Sequence, residues 1–195
     1  MNGNRKPRIT LAAVVAALAL GVAACGAGED VGNPDSNLSL DEATAVLEGA
    51  PHELAALRSE GSQLLDGGTG AFEERLAELE GHPVVVNKWA SWCGPCRAEF
   101  PYFQSQAEER GSEVAFIGVG ANDSEDALAT FLEELPLPYP TYLDPDLEIS
   151  KNLGGPTQAF PATAFYDSSG QLVFTHNGLY VDEAALAADV DKYAN

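Results

Sequence analysis

Soft metal ligands are scarce in this chain of 195 residues, which holds three cysteines, three histidines and one methionine. The methionine is Met1, and His52, His82 and His176 show no ligand spacing. A structural zinc site takes about four protein ligands, and these residues show no such set at ligand spacing. Three cysteines also argue against a scaffold stapled by disulfides. Basic residues are few, with 10 lysines and arginines against 30 aspartates and glutamates, a formal net charge of −20. Such a surface argues against nucleic acid as a partner and against electrostatic adhesion to anionic lipid. No internal repeat is present. Hydrophobic residues make up 45% of the chain, enough for a packed core, and the length suits one domain with extensions.

The charge is unevenly placed. Residues 1–24 contain Arg5, Lys6 and Arg8 but no acid, so from Cys25 onward 30 acids face 7 bases. Residues 9–24 are almost wholly apolar and too short for an ordinary membrane span, the pattern of a secretory signal peptide. Val22-Ala23-Ala24-Cys25 follows at once and resembles the lipobox of bacterial lipoproteins, in which the cysteine is lipid-modified and begins the mature chain. An ordinary signal peptide with a stray cysteine and an uncleaved anchor helix are the alternatives. Residues 25–38, rich in Gly, Asn, Asp and Pro, read as the lipidated cysteine and a tether.

Cys93 and Cys96 stand two residues apart where the apolar run Val84–Trp89 meets a helical pattern beginning at Pro95. A thiol at a helix start faces unpaired amides and the positive end of the helix dipole, and both stabilise the nucleophilic thiolate. The short gap lets the second sulfur close a small, labile disulfide on the first. A static disulfide is the bland alternative, but so short a loop stabilises little. Two-coordinate copper(I) is another, on ligand softness.

The string Asn87-Lys88-Trp89-Ala90-Ser91-Trp92-Cys93-Gly94-Pro95-Cys96-Arg97-Ala98-Glu99-Phe100-Pro101 resembles the active site of the thioredoxin superfamily, in its TlpA/ResA/DsbE-like branch. That resemblance implies an α/β thioredoxin-like fold over residues 67–195, with a mixed central sheet, helices on both faces and a central insertion at 124–152. It implies a membrane-tethered, extracytoplasmic thiol–disulfide oxidoreductase without cofactor or metal. The partners it implies are protein thiols and disulfides, apocytochrome c among the candidates, and a membrane or extracytoplasmic redox partner. Cys93 would be the attacking thiol and Cys96 the resolving one. Trp92, Gly94, Pro95, Phe160 and Pro161 would meet the substrate, with Pro161 in a cis bond opposite the cysteines. A copper(I) chaperone using the same two thiolates is the rival binding function, and a peroxidase is disfavoured because the chain lacks a T-x-x-C site.

Residues 39–66 read as a helical lead-in outside that domain, with helices at 39–47 and 51–58. Gly67-Gly68 marks a turn and 72–80 a short helix. Strands are predicted at 84–89, 114–119 and 141–143, and a hairpin at 162–166 and 172–175. Helices are predicted at 95–110, at 124–135 with Asp123 as its cap, and at 181–193, with a short helix or turn at 147–152. Pro101 falls inside the helix that carries the cysteines, where thioredoxin-like proteins carry a proline. Two positions depart from the thioredoxin pattern. Asn87 stands where a buried aspartate takes the resolving thiol's proton, and Lys88 occupies a place often aromatic. A buried lysine needs an acid partner or must reach the rim. Glu99, on nearly the same helical face as Cys96, would serve as a functional carboxylate in this branch; a solvated acid is the alternative.

Overall fold

A computed structural model describes residues 49–195. The predicted signal peptide, Cys25, the predicted tether and the helix predicted at 39–47 lie outside the described residues. In chain order the elements are α1 (His52–Ser59), β1 (Leu64–Leu65), α2 (Gly68–Glu78), β2 (Val84–Trp89), α3 (Gly94–Arg110), β3 (Ala115–Ala121), α4 (Glu125–Glu134), β4 (Thr141–Asp144), a 3₁₀ turn (Ser150–Asn152), β5 (Ala162–Tyr166), β6 (Leu172–Asn177) and α5 (Glu183–Tyr193).

The six strands form one sheet in the order β1-β4-β3-β2-β5-β6. β2, β3, β4 and β1 run parallel, whereas β5 and β6 are antiparallel to their neighbours. β2 and β3 are central and buried along their whole length, which explains why both read as unbroken small or apolar runs apart from Asn87 and Lys88. Side chains alternate across the sheet. Val85 and Trp89 join Phe100 and Phe103 of α3, Leu128 and Phe131 of α4, and Leu186 and Val190 of α5 in one apolar layer. Val84 and Val86 join Leu54 and Leu57 of α1 and Phe72 of α2 in the other. Helices therefore cover both faces, as the alternating pattern predicts.

Several boundaries differ by a few residues, and three of the helix starts have local reasons. α2 begins at Gly68 rather than 72, because Gly67 at φ 109° turns the chain directly into the helix. α5 begins at Glu183, capped by the Asp182 carboxylate, which accepts from the Ala185 amide at 2.9 Å. α4 is capped by Ser124 and not by Asp123. The Ser124 hydroxyl accepts from the Ala127 amide at 3.3 Å, while Asp123 accepts from the amides of Ser124 (2.8 Å) and Ser91 (2.7 Å). Asp123 thus ties the end of β3 to the loop that carries the cysteines. Within the stretch set apart as a lead-in, β1 pairs with β4 and α1 packs on the sheet. No helix among the described residues is long and apolar enough to cross a membrane.

Candidate active site

β2 delivers the cysteine loop. After Trp89 the chain leaves the sheet through Ala90-Ser91-Trp92 and enters α3 with Cys93 at the N-cap. The Cys96 amide donates to Cys93 Sγ at 3.2 Å, and the Arg97 amide donates to the Cys93 carbonyl at 3.2 Å. Gly94 and Pro95 fill the first helical positions, where a missing N–H is harmless. Cys93 and Cys96 are joined in a disulfide with Cα atoms 5.3 Å apart. Both are buried, Cys93 at 4% exposure and Cys96 at 0%, so the first is nearer solvent. The thiol most open to a partner is thus also the one receiving a helix-start amide.

Trp92 stands at 56% exposure beside the disulfide. Its indole N–H donates to the Asn122 carbonyl at 3.1 Å, and Asn122 holds φ 53°, a backbone state asparagine tolerates better than most residues. The Trp92 ring packs on Phe160 with centroids 5.0 Å apart. The Phe160–Pro161 peptide bond is cis. The Pro161 carbonyl accepts from the Gly178 amide at 2.9 Å, so the loop after β6 braces this turn.

Glu99 stands about one helical turn after Cys96 in α3 and is fully buried, which removes the solvated alternative. Its Oε2 accepts from the Tyr180 amide at 3.3 Å, and Oε1 has no partner. Burial pushes its carboxyl up to about 8, partly opposed by that amide. Asn87 is buried on the same side of β2, donating from Nδ2 to the Tyr139 hydroxyl at 3.3 Å and leaving Oδ1 unpartnered. Burial raises the Tyr139 hydroxyl far above its ordinary range, so it is a neutral group.

Lys88 faces the other side and is 1% exposed. Neither predicted alternative describes it. Its ammonium donates to the Thr157 carbonyl at 3.1 Å and sits 4.9 Å from the Phe160 ring centroid. Burial lowers its proton affinity, and the Asp144 charge works against that.

The cysteines, Trp92, Gly94, Pro95, Phe160, Pro161 and Glu99 are therefore gathered on and under one end of the sheet. Sequence reading missed Asn122, Thr157 and Tyr180, and read Asp123 only as a helix cap. The Asn-Asp pair closing β3 is a turn signal, but nothing local marks Tyr180. Two cavities among the described residues, of about 20 and 320 Å³, are lined by neither cysteine. No cluster of three or more potential metal ligands occurs among the described residues.

A mixed sheet with a C-x-x-C at the start of the helix after a central strand, and a cis-proline turn whose Phe160 packs on Trp92, defines a thioredoxin-like protein. The family model described as Redoxin matches residues 63–190, and the chain belongs to the Redoxin family. It is 36% identical over 101 residues to the thiol-disulfide oxidoreductase ResA of Oceanobacillus iheyensis, covering 50% of each chain. It is 31% identical over 173 residues to the thiol:disulfide interchange protein DsbE of Escherichia coli K12, covering 88% of this chain and 83% of that one. The pneumococcal exposed lipoprotein thioredoxin Etrx1 of Streptococcus pneumoniae superposes with a TM-score of 0.53 at 26% identity, over 60% of this chain and 89% of that structure. The chain spans about half the length of the ResA relatives it matches.

Proposed function

We propose that this protein is a thiol–disulfide oxidoreductase that exchanges disulfides with protein substrates through Cys93 and Cys96. The carrying observation is the Cys93–Cys96 disulfide at the start of α3, with Glu99 buried about one helical turn after Cys96. In the reducing direction the Cys93 thiolate attacks a partner disulfide. One Sγ–S bond forms, the partner's S–S bond breaks, and one partner sulfur leaves as a thiolate. Cys96, its proton passed to Glu99 directly or through one water, then attacks Cys93 Sγ. The second partner sulfur leaves, the Cys93–Cys96 bond closes, and two electrons have passed to the partner. Run backwards, the same steps oxidise a partner dithiol.

A carboxyl near 8 suits this role, because an unperturbed thiol titrates at about 8.5 and the proton can pass either way. Trp92, Gly94, Pro95, Phe160 and cis-Pro161 form the surface against which the substrate chain lies. The substrate class is protein thiols and disulfides, with apocytochrome c a candidate, and a second extracytoplasmic or membrane redox partner resets the pair. The signal pattern of residues 1–24 and the lipobox at Val22–Cys25 support a lipid-anchored address outside the cytoplasm, with 25–38 as tether. The structurally similar pneumococcal protein is an exposed lipoprotein.

The test mixes reduced protein with a peptide carrying one internal disulfide. Peptide dithiol and the Cys93–Cys96 disulfide should appear in equal amounts, and oxidised protein with the peptide dithiol should give the reverse. Absence of transfer in both directions overturns the proposal.

A further inference from the structure

Lys88 has no part in the chemistry above, yet it is a costly residue to bury. An ammonium taken out of water loses its hydration unless other groups replace it. Among the described residues no ion pair includes Lys88. Asp144, whose charge it feels, is already committed to the Ile149 amide (3.0 Å), the Ser150 amide (2.8 Å) and the Ser150 hydroxyl (2.6 Å). What faces the ammonium is one short segment. Thr157 offers its carbonyl at 3.1 Å, and Phe160, three residues on, offers its ring at 4.9 Å.

That segment ends at cis-Pro161 and has little regular structure of its own, beyond a turn closed by the Ala159 amide on the Pro156 carbonyl at 2.9 Å. β2 and β5 pair Lys88 with Ala162, so the lysine stem rises from the sheet beside the point where the segment enters it. The Phe160 ring also packs on Trp92 at 5.0 Å, and Trp92 precedes Cys93. A fixed strand residue thus holds, by a charge-assisted hydrogen bond and a cation–π contact, the aromatic that closes against the tryptophan beside the attacking thiol.

The geometry points to Lys88 as the specificity-determining positioning residue of this site: it seats Phe160 against Trp92 and so limits the bulk of the residue flanking a substrate cysteine. The ligand class is an extended cysteine-containing peptide, and a small neighbour is preferred to an aromatic one. This inference rests on the proposed exchange activity.

The test uses the full chain and two peptides, each with one mixed disulfide, in which the cysteine is flanked by glycine in one and tryptophan in the other. Dithiothreitol reduction of the Cys93–Cys96 bond reports the disulfide itself. The wild type should prefer the glycine peptide in kcat/KM. Lys88→Met should narrow that preference about 3- to 10-fold, the range a partly desolvated cation–π contact carries, and leave the dithiothreitol rate unchanged. Lys88→Arg, which keeps the charge, should restore the preference. Phe160→Leu should narrow it as Lys88→Met does, and the double variant should narrow it no further. Unchanged preference in a folded Lys88→Met variant overturns the inference, as does an equal loss on both peptides and dithiothreitol. If Lys88→Met does not fold, Lys88→Arg combined with Phe160→Leu decides: a preference as wide as wild type overturns it. Wild-type protein that exchanges with neither peptide overturns the activity instead.

Discussion

Glu99 is an acid shielded from bulk solvent, and its behaviour follows from that placement. Its carboxyl titrates near 8 in the folded protein against about 4.5 ordinarily, because burial penalises the charged form more than the Tyr180 amide stabilises it. Between those values the folded chain holds a proton that the unfolded chain has lost. Glu99 therefore contributes stability that is complete below about 4.5 and declines as pH rises through about 8. Glu99→Gln should flatten that decline in denaturant titrations at pH 4 to 9, and Glu108→Gln, farther along α3, should not. The same Gln variant should lower the pKa of the cysteine thiols, since a neighbouring negative charge opposes thiolate formation, and should slow release of a mixed disulfide from Cys93. Parent-like alkylation rates across pH in both variants would show Glu99 to have no part in thiol chemistry. The position of Glu99 was legible from its spacing after Cys96. Its complete burial was not, because Tyr180, which covers and binds it, comes from a loop 81 residues away.

At the scale of elements, the site is held by joints between secondary structures. Asp123 is the clearest of these, joining the end of β3 to the Ser91 amide ahead of Cys93. Asp123→Ala leaves the part-buried Ser91 amide without its acceptor and should destabilise the fold by about 1 kcal/mol in urea denaturation. Asp123→Asn, which keeps an acceptor, should recover part of that loss. A second joint is steric. A Cβ on Gly118 would meet the Thr141 side chain and come within 3.2 Å of its Cα, where β3 and β4 pair. Gly118→Ala should therefore lower the melting temperature, through an overpacking cost of about 1–3 kcal/mol. β2, α3 and β5 were readable because their apolar runs, proline and turn residues act locally. β1 was not readable: two leucines carry no period, and only their parallel partners Thr141 and Tyr142 make them a strand. The cap of α4 was misread for a related reason, since Asp123 and Ser124 are both good caps and the distant Ser91 amide decides between them.

At the scale of the whole molecule, one chain carries the Cys93–Cys96 disulfide, a formal net charge of −20 and an N-terminal signal pattern. If Cys25 is lipidated, the mature protein should fractionate with membranes and carry acyl mass on that residue. Cys25→Ala should release or misprocess it. Retention in membranes with residues 1–24 intact would favour an anchor helix. The greater exposure of Cys93 and the amide on its Sγ support Cys93 as the attacking and Cys96 as the resolving cysteine. The most direct measurement is intact-protein mass spectrometry of Cys93→Ala and Cys96→Ala after mixing each, reduced, with a single-disulfide peptide. The Cys96→Ala protein should accumulate a stable mixed disulfide on Cys93, and the Cys93→Ala protein should remain unmodified. An adduct that forms on Cys96 in the absence of Cys93, at a rate equal to that of the Cys96→Ala protein, would contradict the assignment.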